Sequence, residues 1–423
     1  MSEVRARLES GEKPAMEFLE SALRSALLKD GAHLLENLLN DPLYKGQEQD
    51  ARPGEKCYRD RAKTVETLFG EVRLLRDYYV AEDGSSRVPL DESLGLIEGY
   101  SPGLAKMMAR MAAQDSFEEG SKDLLAYAGV KVGPKAIARM AELVAPQMRA
   151  AHAVAKQEQN TAAIPVMYIE GDGTGVPVRK SEARGRKAKN GEGEAKTREV
   201  KLGCVFTQTS PDSEGKPQRD HNSTTYVGTL QCSEDFGTLL RREAFARGFA
   251  SAQKTVYLGD GAAWVWEVAR INFPQAICIL DFYHAGEHLS MLAEALYCAD
   301  APRVQSQAKI WRAMLLEDRL QEVLSQARED LPDIPSPRDA AEKQIAYFET
   351  NSSRMTYATF RSQSLFIGSG VVEAGCKTVV GKRLKNSGMF WSVKGAQNVL
   401  DLRTFLLSNR FDDLWLARDQ KAA

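Results

Sequence analysis

Hydrophobic residues recur along this chain in two different patterns, and the change between them falls near position 164. Before that point, apolar residues at intervals of three or four predict a helix over 16–39 and further helices over 90–158. A β-like pattern around Gly70 predicts a hairpin over 63–82, and the polar, breaker-rich stretch 41–59 is predicted to be a loop. The first part of the chain is therefore expected to be mainly helical with one hairpin.

Short β-prone runs alternate with helical segments after position 164. Three strands, one helix and then a strand–helix–strand unit are typical of a ribonuclease-H-like mixed sheet, which places this part of the chain in the α/β class. The predicted strands are 166–169, 200–207, 224–230, 255–258 and 276–280, and the predicted helices between the later strands are 234–250 and 262–273.

The pattern becomes almost wholly helical again from 282 to about 361. A glycine-rich break at 367–370 follows, and two more helices are predicted to end near position 407. The chain of 423 residues is too long for one compact core, so two or three domains are expected.

Composition narrows the class of protein. Hydrophobic residues make up 43% and charged residues 27% of the chain, as in soluble globular proteins. No apolar run approaches the ~20 residues that span a bilayer, so no membrane partner is expected. The cysteines contain no CxxC pair, which favours buried thiols in a reducing cytoplasm over disulfides or a zinc ribbon. They are Cys57, Cys204, Cys232, Cys278, Cys298 and Cys376.

Charge is unevenly distributed. The formal net charge of −2 argues against a protein that coats nucleic acid. The stretch 374–400 nevertheless has no acidic residue, and a local positive groove is what a phosphate backbone attracts. The basic residues of that stretch are Lys377, Lys382, Arg383, Lys385 and Lys394.

Three carboxylates occupy positions from which they could meet. Asp172 follows the first predicted strand between glycines, Asp260 follows the fourth strand, and Glu373 opens the helix after the glycine break. The first and fourth strands of such a sheet are neighbours, so a cluster is expected that two Mg²⁺ ions would hold together against charge repulsion. Each residue alone has an ordinary explanation: a turn at Asp172, a helix cap at Asp260 and a first-turn glutamate at Glu373.

Two basic clusters accompany these carboxylates. The first lies between the first two strands, where it is either a solvated loop or a clamp on a phosphate backbone. It contains Arg179, Lys180, Arg184, Arg186, Lys187 and Lys189. The second follows Glu373 at 4, 9, 10 and 12 residues, a spacing that keeps some members near one helix face. It contains Lys377, Lys382, Arg383 and Lys385.

Four motifs carry a resemblance to a known family. They are GDGTGVP at 171–177, LGDGAAWVW at 258–266, DFYHAGEHL at 281–289 and GSGVVEAGCK at 368–377. Together they resemble the ISKra-type insertion-sequence transposases of bacteria, which are similar to the Mutator-like branch of the DDE transposases. The motif around Glu373 is the most specific, because its basic helix and Phe390-Trp391-Ser392 follow at the expected distance.

The resemblance implies a function and a set of site residues. Asp172, Asp260 and Glu373 would be ligands of Mg²⁺ or Mn²⁺, with two ions when DNA is bound, for cleavage of transposon ends and strand transfer by a 3′-hydroxyl. His284, in an acidic-x-x-His signature, would orient the strand near the scissile phosphate. The alternative for His284 is a helix-start histidine that bonds to Asp281.

The resemblance also implies a domain organisation and partners. Residues 1–160 would be a mainly helical, DNA-end-binding region, 161–284 with 365–423 the catalytic domain, and 285–364 an all-helical insertion. The partners would be transposon ends and target DNA, bound by a homo-oligomer, a dimer or larger. The protein would be cytoplasmic, and associated with the nucleoid when bound to DNA. Relatives often carry a Cys-rich piece where only Cys57 remains here, so no zinc site is expected.

Two other functions remain open at this point. A ribonuclease-H-like, structure-selective nuclease would use the same carboxylates without needing an end-binding region. A catalytically silent DNA-binding descendant is the other alternative, and the presence of all three carboxylates speaks against it.

Overall fold

The structure is a computed structural model that describes residues 2–45, 51–154, 163–185, 187, 193–298 and 300–416. The chain divides into two compact units, Met1–Arg149 with Arg410–Ala423, and Ala150–Asn409. No helix in the described ranges combines the length and apolar character needed to cross a membrane.

The first unit contains a three-stranded antiparallel sheet among helices. Its helices are α1 (Ser2–Glu9), α2 (Met16–Asn40), α3 (Pro42–Lys45), α4 (Pro89–Ser93), α5 (Pro102–Gln114), α6 (Phe117–Asp123) and α7 (Pro134–Val154), with a π-helical turn at Leu124–Ala128. Its strands are β1 (Lys56–Thr67), β2 (Gly70–Val80) and β3 (Ser86–Arg87).

The hairpin of the first unit forms where the sequence predicts it. Thr67 pairs with Gly70 across a two-residue turn, and Gly70 adopts a φ of 110°, a conformation that suits glycine. Val65 and Leu74 are buried with Leu90 and form a small core. The predicted loop over 41–59 is only partly right, because it contains α3 and the start of β1, while residues 46–50 lie outside the described part of the chain.

The second unit is built on a five-stranded mixed sheet, and the order of its described strands confirms the predicted fold. The strands are β4 (Ile164–Pro177), β5 (Thr197–Gln208), β6 (Thr225–Thr229), β7 (Ala252–Gly259) and β8 (Ile277–Leu280). Their order is β6-β5-β4-β7-β8, with β5 antiparallel to both neighbours and β4, β7 and β8 parallel. A sheet with strands in the order 3-2-1-4-5 and an antiparallel second strand is the ribonuclease-H-like arrangement.

Helices cover both faces of this sheet. Between strands lie α8 (Lys180–Ala183), α9 (Ser233–Ala246), a 3₁₀ turn at Phe249–Ser251 and α10 (Ala263–Asn272). The helical pattern predicted after β8 is confirmed by α11 (Phe282–Tyr297), α12 (Ala301–Leu316), α13 (Leu320–Glu329), α14 (Pro335–Asn351), a 3₁₀ turn at Ser352–Arg354 and α15 (Tyr357–Ser362).

The last helices return to the sheet. They are α16 (Gly370–Gly375), α17 (Lys382–Leu384) and α18 (Val393–Leu407). A π-helical segment, Cys376–Gly381, joins α16 to α17. The segment from α16 to α18 packs on the sheet face of Glu170, Cys204 and Tyr226, which pair across β4, β5 and β6. Helices α9 and α10 lie on the opposite face, where Phe236 meets Gly171.

Candidate active site

Asp172 and Asp260 lie side by side where two parallel strands separate. The last parallel pair between β4 and β7 is Gly171 with Gly259, so each aspartate is the next residue after that pair. The predicted strand over 166–169 is too short: β4 continues to Pro177 because β5 pairs with it along this stretch. Asp172, which pairs with Leu202, therefore lies in a strand and not in a turn. The Asp172 carboxylate therefore projects from a continuous strand that β5 holds in place along one edge.

The glycines around Asp172 pack against other side chains of the protein. A Cβ atom on Gly171 would lie 3.0 Å from the Tyr257 hydroxyl oxygen, and one on Gly173 would lie 2.7 Å from a carboxylate oxygen of Glu199. Side chains alternate along a strand, so these glycines face the sheet side opposite to Asp172. They permit close packing within the protein.

The surroundings of Asp172 favour its protonated form. Burial raises the pKa of Asp172, and the negative charge of Asp260 adds to the increase. The Cys376 thiol and the Gly173 N–H donate hydrogen bonds to the Asp172 carboxylate and partly offset the increase. A carboxylate in this situation gains from a nearby cation, because positive charge relieves both the burial and the repulsion.

Asp260 is held from two directions. Its carboxylate accepts a hydrogen bond from the Ala262 N–H at 3.0 Å, so it also supports the start of α10, as a helix-capping residue would. Its backbone carbonyl accepts a hydrogen bond from the Tyr347 hydroxyl on α14 at 3.3 Å. The Tyr347 ring in turn stacks on His288 with ring centroids 3.6 Å apart.

Glu373 points from α16 with an exposed side chain. Partial burial and the negative charge of Asp281 raise the pKa of Glu373, with a smaller contribution from Asp172, while Lys377 lowers it. The electrostatic influence of Asp172 on Glu373 indicates that α16 brings this carboxylate back towards the two aspartates. Described His, Cys, Asp and Glu side chains do not converge into a ready-made group of three metal ligands.

A buried glutamate that the sequence interpretation missed fixes the position of α16. Glu170 is fully buried on β4, two residues before Asp172. Its carboxylate accepts hydrogen bonds from the Val372 N–H at 2.7 Å and from the Cys204 thiol at 3.5 Å. Burial raises the pKa of Glu170 to about 8. The signal in the sequence is a charged residue inside an otherwise apolar strand.

Asp281 is a second anchor for the helix that carries Glu373. It is fully buried at the end of β8, and its carboxylate accepts hydrogen bonds from the His284 N–H at 2.7 Å and from the Ser369 hydroxyl at 2.8 Å. The backbone N–H of His284 therefore makes the helix-start hydrogen bond to Asp281 that was the alternative role for this residue. Its ring lies apart from that bond, with Nδ1 3.4 Å from a Glu287 oxygen.

The second basic cluster divides into one buried and three exposed members. Arg383 is fully buried with its guanidinium 5.0 Å from the centre of the Trp391 ring, so its prediction as a DNA contact is wrong in this arrangement. The indole supplies a surface on which a guanidinium stacks inside the protein. Lys385 instead reaches the site, with its Nζ 2.5 Å from the Thr174 hydroxyl. Lys377 and Lys382 are exposed.

The first basic cluster lies on the surface where it is described. Arg179, Lys180, Arg184 and Lys187 are exposed, and the short helix α8 occupies part of the predicted loop. Arg186 and Lys189 lie outside the described residues. The N–H of Arg179 donates to the Trp391 carbonyl at 2.9 Å, which fixes the base of this cluster against the segment that follows α17.

The fold and site define an α/β protein of the ribonuclease-H-like class with acidic residues at the strand ends. The chain belongs to a family described as Uncharacterised protein family (UPF0236), which matches residues 12–410. No curated protein matches the chain.

Among solved structures, the chain is similar to the Drosophila P element transposase strand transfer complex. The identity is 8%, the TM-score is 0.26, and the match covers 74% of this chain and 80% of that chain.

Proposed function

We propose that this protein is a DNA transposase of the ISKra type, which cleaves transposon ends and joins the freed 3′-hydroxyl to target DNA. The observation that carries the proposal is the placement of Asp172 and Asp260 after the last pair of two neighbouring parallel strands, with Glu373 on a helix anchored to the same strand. The motif resemblance supplies the reaction, and the geometry gives that reaction a suitable acidic site.

The residues present fit a hard divalent cation in their chemistry. Asp172, Asp260 and Glu373 offer carboxylate oxygens, the ligands that Mg²⁺ and Mn²⁺ prefer. Burial raises the pKa values of Asp172 and Glu373, and neighbouring carboxylates add to the increase, so a cation would be favoured here. Bound ions would activate the attacking oxygen and stabilise the leaving oxygen of a phosphodiester. These three residues would hold them, with two ions when DNA is present.

Other side chains of the site would act on the DNA itself. Lys385, beside Thr174, places a positive charge two residues beyond Asp172, where it would contact a phosphate. Lys377 lies one helical turn after Glu373 and would add a second such contact. The half-exposed ring of His284 would orient the strand near the scissile phosphate. The exposed cluster of Arg179, Lys180, Arg184 and Lys187 would bind the backbone further along, without reading sequence.

The organisation around this site is part of the same proposal. Residues 1–160 would bind transposon ends, and an oligomer, a dimer or larger, would hold the ends together on DNA in the cytoplasm. The domain that carries the carboxylates would comprise 161–284 and 365–423, with 285–364 as an insertion that reaches the site through Tyr347.

Two assays test the proposal. The first measures joining of a labelled, precleaved transposon end to plasmid DNA, with Mg²⁺ or Mn²⁺ as the cofactor. Joined product is expected, whereas strong nicking without joining would favour a structure-selective nuclease.

The second assay compares Asp260→Asn with Asp339→Asn, an exposed control on α14. Asp260→Asn is expected to abolish cleavage and leave DNA binding unchanged, while the control retains both. Normal cleavage by Asp260→Asn would overturn the assigned site, and no cleavage by any form of the protein would favour the DNA-binding descendant.

A further inference from the structure

A polar pocket lies at the edge of the sheet formed by β6 and has no part in the reaction described above. Its volume is about 650 Å³, and its walls come from the connection between β5 and β6 and from the end of α18. Almost all of its lining is polar or aromatic, and includes Ser210, Gln218, Arg219, His221, Tyr226 and Asn409.

The loop that forms one wall is held in place by hydrogen bonds. Asp220 accepts from the Thr207 hydroxyl at 2.6 Å, and from the Thr209 N–H and hydroxyl at 2.9 and 3.0 Å. Although burial raises the pKa of Asp220, these bonds lower it overall, so the residue stays charged. Both carboxylate oxygens therefore point to loop partners, and the residues on either side of Asp220, Arg219 and His221, are presented to the pocket.

A hydrogen bond joins the opposite wall of the pocket to β6. The Tyr226 N–H donates to the Ser408 hydroxyl at 2.9 Å, which ties β6 to the end of α18. Asn222 and Asn409, one on each wall, have φ values of 55° and 56°. Backbone in this region is uncommon for a residue with a side chain, although asparagine tolerates it best, and here it places an amide at each side of the pocket.

The pocket lining contains one guanidinium, that of Arg219, and one carboxylate, that of Asp220, whose oxygens are already bonded to Thr207 and Thr209. The Arg219 guanidinium donates to the Thr224 hydroxyl at 3.2 Å, and no ion pair to Arg219 is found in the part of the chain that the structure describes. Lys216, on the same loop, is instead paired with Glu214 at 2.5 Å. An anion in the pocket would thus meet a guanidinium with free donors, which suits phosphate geometry.

The aromatic residue of the pocket connects it with the catalytic helix. A Cβ atom on Gly375 would lie 2.8 Å from the Tyr226 ring, so the ring packs against α16 two residues after Glu373. A ligand beside Tyr226 would therefore lie close to α16, the helix that carries Glu373. Phosphate-binding charge, hydrogen-bonding amides and an aromatic side chain together match one chemical class, a nucleotide unit of single-stranded nucleic acid.

We propose that this pocket binds a single-stranded nucleotide of the DNA substrate, with Arg219 on its phosphate and Tyr226 beside its base. The choice of DNA rests on the proposed function, but nucleotide binding by the pocket does not require cleavage. The pocket would retain an unpaired DNA end on the far side of α16 while the acidic residues act on another phosphodiester.

The test uses the full-length protein and a short fluorescent oligothymidylate, with binding followed by anisotropy across a salt titration in EDTA. Arg219→Ala is expected to weaken binding about tenfold and to reduce the slope of log K against log salt by about 0.7, the value for one single-stranded phosphate contact. Arg219→Lys should restore the slope, because it restores the charge. Lys216→Ala removes a charge from the same loop outside the pocket and should leave both quantities unchanged.

Either of two results would overturn the proposal that this pocket binds a nucleotide. One is an unchanged slope in Arg219→Ala, and the other is an equal loss in Arg219→Ala and Lys216→Ala. Thermal melting of each variant shows that the fold is retained. The joining assay separates this proposal from the proposed function. Binding that depends on Arg219 without any joining would refute the transposase and support nucleotide binding by the pocket. Normal joining with binding that does not depend on Arg219 would support the transposase and refute nucleotide binding by the pocket.

Discussion

Glu170 provides the most specific prediction, because both the direction and the magnitude of its effect on the pH dependence of the unfolding free energy can be stated. The side chain is fully buried, and burial raises the pKa of its carboxyl from 4.5 to about 8. Between these two pH values the folded protein keeps a proton on Glu170 that the unfolded chain has released. The free energy of unfolding therefore decreases as pH rises through this window, by about 1.4 kcal/mol per pH unit. Over the whole window the loss approaches about 5 kcal/mol.

Replacing Glu170 with glutamine removes this titration and keeps the shape of the side chain. The amide oxygen can still accept the hydrogen bond from the Val372 N–H, which the carboxylate accepts at 2.7 Å. Glu170→Gln is therefore expected to gain stability relative to the natural protein as pH rises from 5 to 8. Glu170→Ala should instead lose about 1–3 kcal/mol at low pH, because it leaves a buried N–H without a partner.

Urea unfolding in buffers from pH 5 to pH 8 without divalent cations measures this difference. Glu214→Gln, on an exposed loop, controls for the loss of one acidic group. The difference in unfolding free energy between the variant and the natural protein should grow with pH for Glu170→Gln and stay constant for Glu214→Gln. Parallel curves for Glu170→Gln would refute the claim that this carboxyl is protonated in the folded protein.

Two further predictions concern the support of the aspartates. Tyr347→Phe removes the hydroxyl that bonds to the Asp260 carbonyl and keeps the ring. The rate of single-turnover cleavage is expected to fall about tenfold, with unchanged DNA affinity. An unchanged cleavage rate would exclude a positioning role for Tyr347. Gly259→Ala places a Cβ 2.4 Å from a Val265 methyl and should cost about 1–3 kcal/mol in urea unfolding. Gly370→Ala, where the same atom meets open space, is the matched control, and equal losses in both variants would contradict the packing argument.

Local patterns were sufficient to predict most elements of the second unit. Apolar runs such as the one in β7 and the spacing of α10 depend on interactions between near neighbours in sequence, and these predictions are confirmed. The strand order followed from the succession of elements, since few topologies are compatible with it. The predicted end of the first strand at 169 was wrong, because pairing with the distant strand β5 extends β4 to Pro177 and overrides the local tendency of a glycine-rich stretch.

The candidate site shows the same division between local and distant information. Residue types alone identify the carboxylates and basic residues, and the local pattern puts Asp172 and Asp260 after two predicted strands. Three features are visible in the folded protein alone: Arg383 is buried, the glycines at 171 and 173 pack against other side chains, and Glu170 anchors α16. Burial and charge–charge interactions depend on residues far apart in the chain, such as Glu170 and Val372, and a linear pattern does not record which of them meet.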